Sequence, residues 1–282
     1  MKKVFLLGAL ALSLAGQAQK VTVKPSFTKG QKLEVVTKAN TVLSIEMPGQ
    51  TMENKIDATI TRSFDIEDAS ASGATIEHKI KRMQMNFSSP MGAQKFDSES
   101  EADMKSEGGK AAEKALKNKY TLTVDGNGKI THVKLDDKNP NTEESKGMMS
   151  SAVEQMGAGG VPKIGSSTEL TILPVGGVAK GDTWSDSTNS TKSSYTVSDI
   201  TADEVIVTFT TEGKTERTQE ANGMEISINS VDKSTGTIKV DLKSGIMKER
   251  VSTTNSEGTM EVMGQSVPMT TKTEATVTVT AK

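Results

Sequence analysis

The side chains that most often carry catalysis or bind metals are scarce in this sequence. It contains two histidines, His78 and His132, and no cysteine among 282 residues. Without thiols the chain can form no disulfide, no thiolate metal site and no cysteine nucleophile. Two imidazoles are also too few for a metal site built from several histidines. We therefore predict no catalytic residue, no metal site and no cofactor.

Each histidine has an ordinary structural explanation. His78 stands in an alternating segment with Ile76 and Ile80 on its own face, which indicates a partly buried structural residue. His132 follows a turn, on a strand whose apolar residues take the opposite face, so we expect it to be exposed. Serine and aspartate are too numerous to select a Ser-His-Asp set from spacing. The sequence favours a protein that is not an enzyme.

Two further patterns resemble metal-binding motifs without completing them. The segment Asp125–Lys129 is like the start of a calcium loop, but Lys129 stands where a ligand belongs and Asp136 replaces the final glutamate. A hairpin turn with Gly and Asn at positive φ explains it better. Met83 and Met85 share a strand face, as thioether copper(I) ligands would. Flexible core filling is the stronger explanation, because only 3% of the residues are aromatic.

The N-terminus has the pattern of an export signal. Lys2 and Lys3 precede an apolar run from Val4 to Leu14, and Ala15–Ala18 offers small residues to a signal peptidase. The run is too short to span a bilayer. We expect cleavage after Ala18 and a location in the periplasm, at the cell surface or in the medium.

Charge and hydropathy narrow the partners of the exported chain. The formal charge of −2 becomes −4 once the two lysines of the leader are removed. A mildly acidic chain is a poor general binder of nucleic acid. Because no later segment is apolar for long enough to cross a bilayer, we predict a protein that does not span the membrane.

Strict alternation of apolar and polar residues dominates the rest of the chain. Leu33 to Met47 keeps its apolar residues on one parity. After the turn signal Pro48–Gln50, the segment Ile56 to Ile66 shows the same alternation. Period-two patterning predicts strands with one buried face, joined here as a long hairpin. A phase change at Lys81–Arg82 predicts a β-bulge.

About twelve strands follow from the same pattern. Beyond the first hairpin the predicted strands are Ile76–Phe87, Gln94–Ser100, Tyr120–Val124, Ile130–Leu135, Glu169–Leu173, Ser194–Ile200, Val205–Thr211, Met224–Val231, Thr237–Leu242, Met247–Thr254, Thr259–Met263 and Val267–Ala281. Asp232–Gly236 is predicted as a turn, and the acidic run Glu99–Asp103 as a solvated connector.

Helix signals are confined to two places. Gly108 to Lys119 has alanine and leucine at helical spacing, and Asn141–Glu144 can cap a helix that carries Met148 to Met156. The second helix falls in a glycine-rich joint, residues 139–165. This joint separates an N-terminal β half, residues 19–138, from a C-terminal β half, residues 166–282.

A repeated hairpin suggests that the two halves are similarly built. Val36–Thr61 and Val251–Thr278 share a Gly-Gln turn and matching return strands. One sheet shared by both halves buries more surface than two small barrels. We therefore predict a mainly β fold, a strongly curved antiparallel sheet or open barrel built from long hairpins, with two short helices.

Several short motifs together resemble a known family. They are Lys29–Gln31, Asp125–Ile130, Leu173–Pro174 followed by Gly181–Trp184, and Asp232–Gly236. In this combination the chain resembles an uncharacterised family of secreted Bacteroidota proteins, a domain of unknown function, which implies no established activity. The succession of hairpins is also similar to the half-barrel of periplasmic lipoprotein carriers, which holds acyl chains in an apolar concavity. A likeness of fold is weak evidence of function.

Two functions fit these observations. The first is an exported, non-enzymatic protein that binds a lipid or another apolar or amphipathic ligand on a concave sheet face. Its predicted ligand-binding residues lie on the apolar parity of the strands: Ile60, Phe64, Met83, Met85, Phe87, Met260 and Val262. The second is a structural or protein-interaction module of the cell envelope, with a filled core and an edge strand open to an envelope protein. An enzyme ranks third.

Overall fold

A computed structural model describes residues 20–47, 49–90, 92–117, 119–136, 161–188, 190–221, 224–262 and 264–282. The predicted export signal and the predicted helix near Met148 to Met156 lie outside these residues. The strands are β1 (Lys32–Met47), β2 (Gln50–Ser70), β3 (Gly73–Ser89), β4 (Gly92–Asp97), β5 (Tyr120–Asp125), β6 (Ile130–Leu135), β7 (Thr183–Ser187), β8 (Thr191–Ile200), β9 (Glu204–Ala221), β10 (Met224–Asp241), β11 (Met247–Val262) and β12 (Gln265–Ala281). The helices are α1 (Glu101–Met104) and α2 (Glu107–Leu116).

All twelve strands lie in one antiparallel sheet. Their order is β6-β5-β3-β2-β1-β12-β11-β10-β9-β8-β7, and β4 pairs with the end of β3 that β5 leaves free. Strands from both halves of the chain therefore meet where β1 pairs with β12. In the described residues the outermost strands β6 and β7 do not pair, so the sheet stays open. The predicted mainly β fold is confirmed.

The repeated hairpin occupies the centre of this sheet. In β1–β2 Met47 lies opposite Gln50, and in β11–β12 Val262 lies opposite Gln265, so both hairpins turn at the same place. Gly49 in the first turn and Gly264 in the second have φ of +83° and +77°. Glycine takes this left-handed conformation without a steric penalty, which explains why both turns use it.

Local signals place the predicted bulge and the first of the two predicted helices, with one correction. Thr61 pairs with Arg82 and Arg62 with Ile80, so Lys81 is the extra residue of a bulge in β3. Helix α2 agrees with the predicted segment. The acidic run Glu99–Asp103 before α2 is not only a solvated link. Ser100 accepts a hydrogen bond from the Asp103 amide and caps the one-turn helix α1.

Three predicted elements of the second half were wrong. Asp232–Gly236 is no turn but the middle of β10, and the two segments predicted within residues 247–263 are one strand, β11. A Cβ at Gly236 would lie 2.0 Å from the carbonyl oxygen of Val251, so close backbone approach rather than a turn requires this glycine. Glu169–Leu173 is not a strand. It belongs to residues 161–182, which we call the connector.

The connector shows that the sheet is strongly curved. Thr168 donates to the Gly128 carbonyl at 3.3 Å beside β5, and Leu170 accepts from the Met247 amide at 2.8 Å at the start of β11. Thr168 and Thr171 close a turn, so Gly128 and Met247 lie within about 15 Å of each other. Five strand spacings separate β5 from β11, which is about 24 Å in a flat sheet. The sheet must curl around the connector.

We call the side of the sheet that faces the connector the inner face. The part of this face that packs against the connector is called the base. Alternate residues of every strand lie there, as the side-chain period of two requires. The base is a packed core in two clusters, which Val277 and Val279 of β12 join. Representative members are Leu33, Phe64, Ile76, Leu122, Leu170, Val197, Val207, Ile238 and Val240. Helix α2 covers a third cluster, where Ala112 packs with Ile60, Ile80, Met83 and Phe96.

Candidate functional site

The base of the inner face contains a buried ion pair. Arg62 of β2 is 2% exposed and donates to both carboxylate oxygens of Glu169, at 2.5 and 2.8 Å. Its Nη2 also donates to the Thr37 hydroxyl at 3.2 Å. A bidentate pair of this kind fixes both partners in one geometry. It therefore ties the connector to the middle of the sheet.

His78 lies beside this pair within an aromatic stack. Its ring is 1% exposed, 4.3 Å from the Tyr120 ring in a stacked arrangement and 4.9 Å from the Phe64 ring edge-on. Neither ring nitrogen has a hydrogen-bond partner among the described residues. Burial, with a smaller effect of the Arg62 charge, lowers the pKa of His78 to about 3. The ring is therefore neutral at ordinary pH, which agrees with the structural role that the sequence predicts.

A second arginine lies on the inner face in a different environment. The Arg250 guanidinium of β11 sits 4.4 Å from the centre of the Phe209 ring. Phe209 is followed outward by Tyr195, at 6.3 Å between ring centres, and Tyr195 stacks on Trp184 at 5.2 Å. The single Trp of the chain is thus a packing anchor at the start of β7.

Arg250 has no acidic partner in the described part of the chain. Neither an ion pair nor a hydrogen bond joins it to a carboxylate there. Burial lowers the pKa of Arg250, and the nearby Tyr195 and Glu169 oppose that shift. The Glu169 carboxylate is already held by Arg62. An arginine keeps its proton in proteins, so this guanidinium is a partly buried positive charge whose acidic neighbour, Glu169, is bound to Arg62.

A row of five residues, all small except Met85 at one end, crosses the inner face just above Arg250. The strand register places Ser252, Ala275, Ala39, Ala58 and Met85 side by side on β11, β12, β1, β2 and β3. We call these five residues the alanine row. Larger side chains flank it on both sides along each strand, with Thr37 and Ile60 toward the base. The short side chains of Ser252, Ala275, Ala39 and Ala58 thus form a line across the strands between longer side chains, and we call this line the trough.

Beyond the alanine row the inner face is only half-buried. Methionines and β-branched residues are common on its N-terminal side, and hydroxyl residues, with Asp232 and Arg217, lie on its C-terminal side. Two hydroxyl pairs there bond across strands, Thr254 with Ser234 at 3.0 Å and Ser193 with Thr211 at 2.8 Å. The helices and the connector pack at or near the base, so no other described element covers this upper part.

The seven predicted ligand-binding residues do not form one cluster. Ile60 and Met83 are buried together under α2 with Met85 at their margin, and Phe64 lies in the base beside His78. Phe87 lies opposite Ile56 on the half-buried upper face. Met260 and Val262 lie near the β11–β12 turn, far along the strand from the others. Met85 and Phe87 border the trough, and a ligand-binding role for all seven stays a prediction.

Sequence reasoning missed the inward positions of Arg62 and Arg250. Arg62 shares the parity of Ala58, Ile60 and Phe64, so alternation alone signals its inward position. Arg250 gives no such signal, because its neighbour Val251 is the apolar residue and yet points outward, 42% exposed. Its position follows only from the register of β11 with β12.

A polar groove of about 680 Å³ crosses the opposite, outer face. Most of its lining residues have outward parity and come from six strands, among them Lys38, Asn40, Asp57, Asp97 and Glu274. Its acids have local partners: Asp57 accepts from Asn40, Asp97 pairs with Arg82, and Glu274 pairs with Lys272. Arg82, as the largest effect, lowers the pKa of Asp97 to about 2. Asp97 and Glu274 of the groove are thus in ion pairs, and Asp57 is hydrogen-bonded.

The described residues offer no ready metal site. No group of three or more His, Asp or Glu side chains lies close enough there to hold a metal ion. Asp125 instead accepts hydrogen bonds from the amides of Asn127 and Lys129 at 2.8 and 3.0 Å, and Gly128 has φ +78°. This is the hairpin turn that the sequence favours over a calcium loop. In the same part of the chain we find no helix with the length and hydropathy of a membrane span.

Comparison with solved structures gives likenesses of low score. A structure entitled "Lipid-protein interactions in lipovitellin" is 11% identical with a TM-score of 0.49, over 91% of this chain and 26% of that one. The present chain therefore spans about a quarter of that protein. The COG4313 outer membrane channel from Pseudomonas putida F1 is 8% identical with a TM-score of 0.28, over 91% and 97% of the two chains. These scores carry no argument about function.

Sequence comparison is more decisive. A search of curated proteins gives no match. Residues 71–247, from the β2–β3 turn to the start of β11, match the profile of a family of unknown function. The match covers more than half of the chain and confirms the resemblance to a domain of unknown function, while the Bacteroidota type and secretion stay predictions. The chain belongs to the family of unknown function DUF6263.

Proposed function

We propose that this protein is an exported, non-enzymatic binding protein that holds an amphipathic ligand on the inner face of its sheet. The observation that carries the proposal is the trough above the packed base. Its floor is the alanine row, and Ala39 and Ala58 are 8% and 6% exposed between taller neighbours. Small side chains across four adjacent strands leave room for a narrow apolar chain that lies perpendicular to the strands.

The margin of the trough suits such a ligand. Met85, Phe87 and Ile56 adjoin its N-terminal end and are half-buried. Methionine adapts its shape to different apolar partners, which favours it at ligand surfaces. From Ser252 to Met85 the row spans four strand spacings, about 19 Å. That length is comparable to a medium acyl chain.

An interaction module of the cell envelope is the second candidate. Beyond Gly213, β9 pairs with β10 but with no other described strand, so one edge is free there. The segment carries Lys214 and Glu216, and charged residues of this kind protect an edge against pairing. For this reason the ligand-binding function is the better supported one.

The test is to purify residues 19–282 from a bacterial periplasm without detergent and to analyse an organic extract by mass spectrometry. We expect an amphipathic molecule in stoichiometric amount. Ala275→Phe fills the trough and should remove it, whereas Val231→Phe adds the same ring at an exposed outer position and should not. A folded wild-type protein that carries no amphiphile and binds none when it is added contradicts the proposal.

A further inference from the structure

We infer that Arg250 binds the charged end of the ligand, and that this end is a carboxylate or a phosphate. The inference rests on the proposed function and adds the chemical class of the ligand. Its starting point is the charge balance of the inner face near the base. Arg62 and Glu169 neutralise each other, His78 is uncharged, and the positive charge of Arg250 remains. A desolvated charge without a partner is costly, and a bound anion would remove that cost.

The orientation of the guanidinium favours an anion with two or more oxygens. The Arg250 Cζ lies over the Phe209 ring, 4.4 Å from its centre. The ring accepts no hydrogen bond from the edge of the guanidinium, so the N–H fork stays available, and this fork matches a carboxylate or phosphate. The contact with the ring also restricts the arginine side chain, so less side-chain freedom is lost on binding.

Gly236 makes this arrangement possible. Phe209 on β9 and Arg250 on β11 are separated by β10, where Gly236 lies opposite Phe209. A Cβ at Gly236 would lie 2.8 Å from Cε1 of Phe209. Because no side chain is present there, the ring can lie across β10 and reach the arginine.

The position of Arg250 links the anion to the trough. Along β11 the next residue of the inner face is Ser252, which begins the alanine row. An anionic group at the guanidinium therefore lets an attached apolar chain run over Ala275, Ala39 and Ala58 toward Met85. The Ser252 hydroxyl lies beside the same end and can donate to an oxygen of the anion.

The experiment compares three probes of equal chain length with the mature chain: dodecanoate, dodecyl phosphate and dodecanol, each below its aggregation concentration. Fluorescence of Trp184, two rings from Phe209, reports binding. We expect at least one anion to bind ten or more times more tightly than dodecanol. The stronger of the two anions identifies a carboxylate or a phosphate ligand.

Variants assign the preference to one residue. Arg250→Gln should remove the anion preference and leave the affinity for dodecanol within about twofold. Arg82→Gln is the matched control on the outer face and should change neither. If Arg250→Gln does not fold, salt provides the second test: anion affinity of the wild type should fall with ionic strength, and dodecanol affinity should not.

The outcomes separate the inference from the proposed function. Equal affinities for the three probes, or an anion preference that Arg250→Gln retains, overturn the inference and leave the binding function intact. Binding of none of the probes by the folded protein overturns the proposed function itself.

Discussion

Glu169 of the connector and Arg62 of β2 form two parallel contacts of 2.5 and 2.8 Å at the centre of the inner face. Arg62 is 2% exposed, whereas the Glu169 side chain keeps 34% of its surface. The pair therefore joins a buried cation to an anion that still touches solvent. It is also a polar contact that ties the connector to an inner strand of the sheet, β2.

Removal of this acid should destabilise the protein. Glu169→Gln removes the carboxylate that binds both Nη atoms of the buried Arg62, and we expect the free energy of unfolding to fall by about 2–3 kcal/mol in urea titrations. Asp199→Asn, which breaks the exposed pair with Lys180, should cost less than about 1 kcal/mol. Equal losses in the two variants would show that the buried pair contributes no more to the free energy of unfolding than the exposed pair.

Arg250 should behave in the opposite way. Because its charge has no partner in the described residues, Arg250→Met should raise the free energy of unfolding of the ligand-free protein by about 1–2 kcal/mol. Arg62→Met is the matched control and should lower the free energy of unfolding, because the substitution removes the cation that pairs with Glu169. The comparison uses urea unfolding of delipidated protein. A loss of stability in Arg250→Met would mean that its contact with Phe209 outweighs the cost of its burial.

His78 should make stability depend on pH below neutrality. Its folded-state pKa is about 3 against an ordinary 6.5, so between these values the unfolded chain binds a proton that the native protein does not. Its contribution is therefore fully present above pH 6.5 and is lost as the pH falls toward 3. Across that window the loss should approach about 4 kcal/mol.

The measurement is the free energy of unfolding as a function of pH for wild type and His78→Phe. Above pH 6.5 the two curves should have the same slope. Below pH 6.5 the free energy of unfolding should fall more steeply with decreasing pH in the wild type than in His78→Phe. His132→Asn changes an exposed histidine and should leave the wild-type slope unaltered. Parallel curves for wild type and His78→Phe would show that His78 is protonated in the native state as readily as in the unfolded chain.

Two glycines should differ sharply in their tolerance of a methyl group. Gly264 has φ +77° and open space around it, so Gly264→Ala should cost about 1 kcal/mol through backbone strain alone. At Gly236 an added Cβ meets the Val251 carbonyl oxygen at 2.0 Å, so β10 and β11 must move apart. Gly236→Ala should cost at least about 3 kcal/mol. Near-ultraviolet circular dichroism should also change in Gly236→Ala, because Phe209 and its aromatic neighbours shift.

The strands were predictable because their period of two survives almost the whole chain. Alternation in Leu33 to Met47 and in Val267 to Ala281 reflects one packed and one solvated face, and local turn chemistry marks the ends of both central hairpins. The error at Asp232–Gly236 has a physical cause. A glycine between polar residues has the composition of a turn. Here, however, the glycine is required because β10 and β11 approach each other closely, and this contact is seen only in the sheet.

The candidate site was predictable only in part. Met85 and Phe87 follow from parity, and so does the inward position of Arg62. Arg250 depends on the register of β11 with its neighbours, and its lack of an acidic partner depends on how the connector places Glu169. Such relations join residues far apart in sequence, so no window of local pattern contains them.

The pairing of β1 with β12 has a consequence for how the protein folds. Leu33 lies opposite Ala281, so the central seam of the sheet joins two strands at opposite ends of the described chain. Closing so large a loop delays that seam, and folding rates fall as contacts become more distant in sequence. Until β12 is available, β1 presents a 16-residue edge with unpaired amides and carbonyls. The unfinished sheet is therefore the species most exposed to aggregation and to proteases during folding.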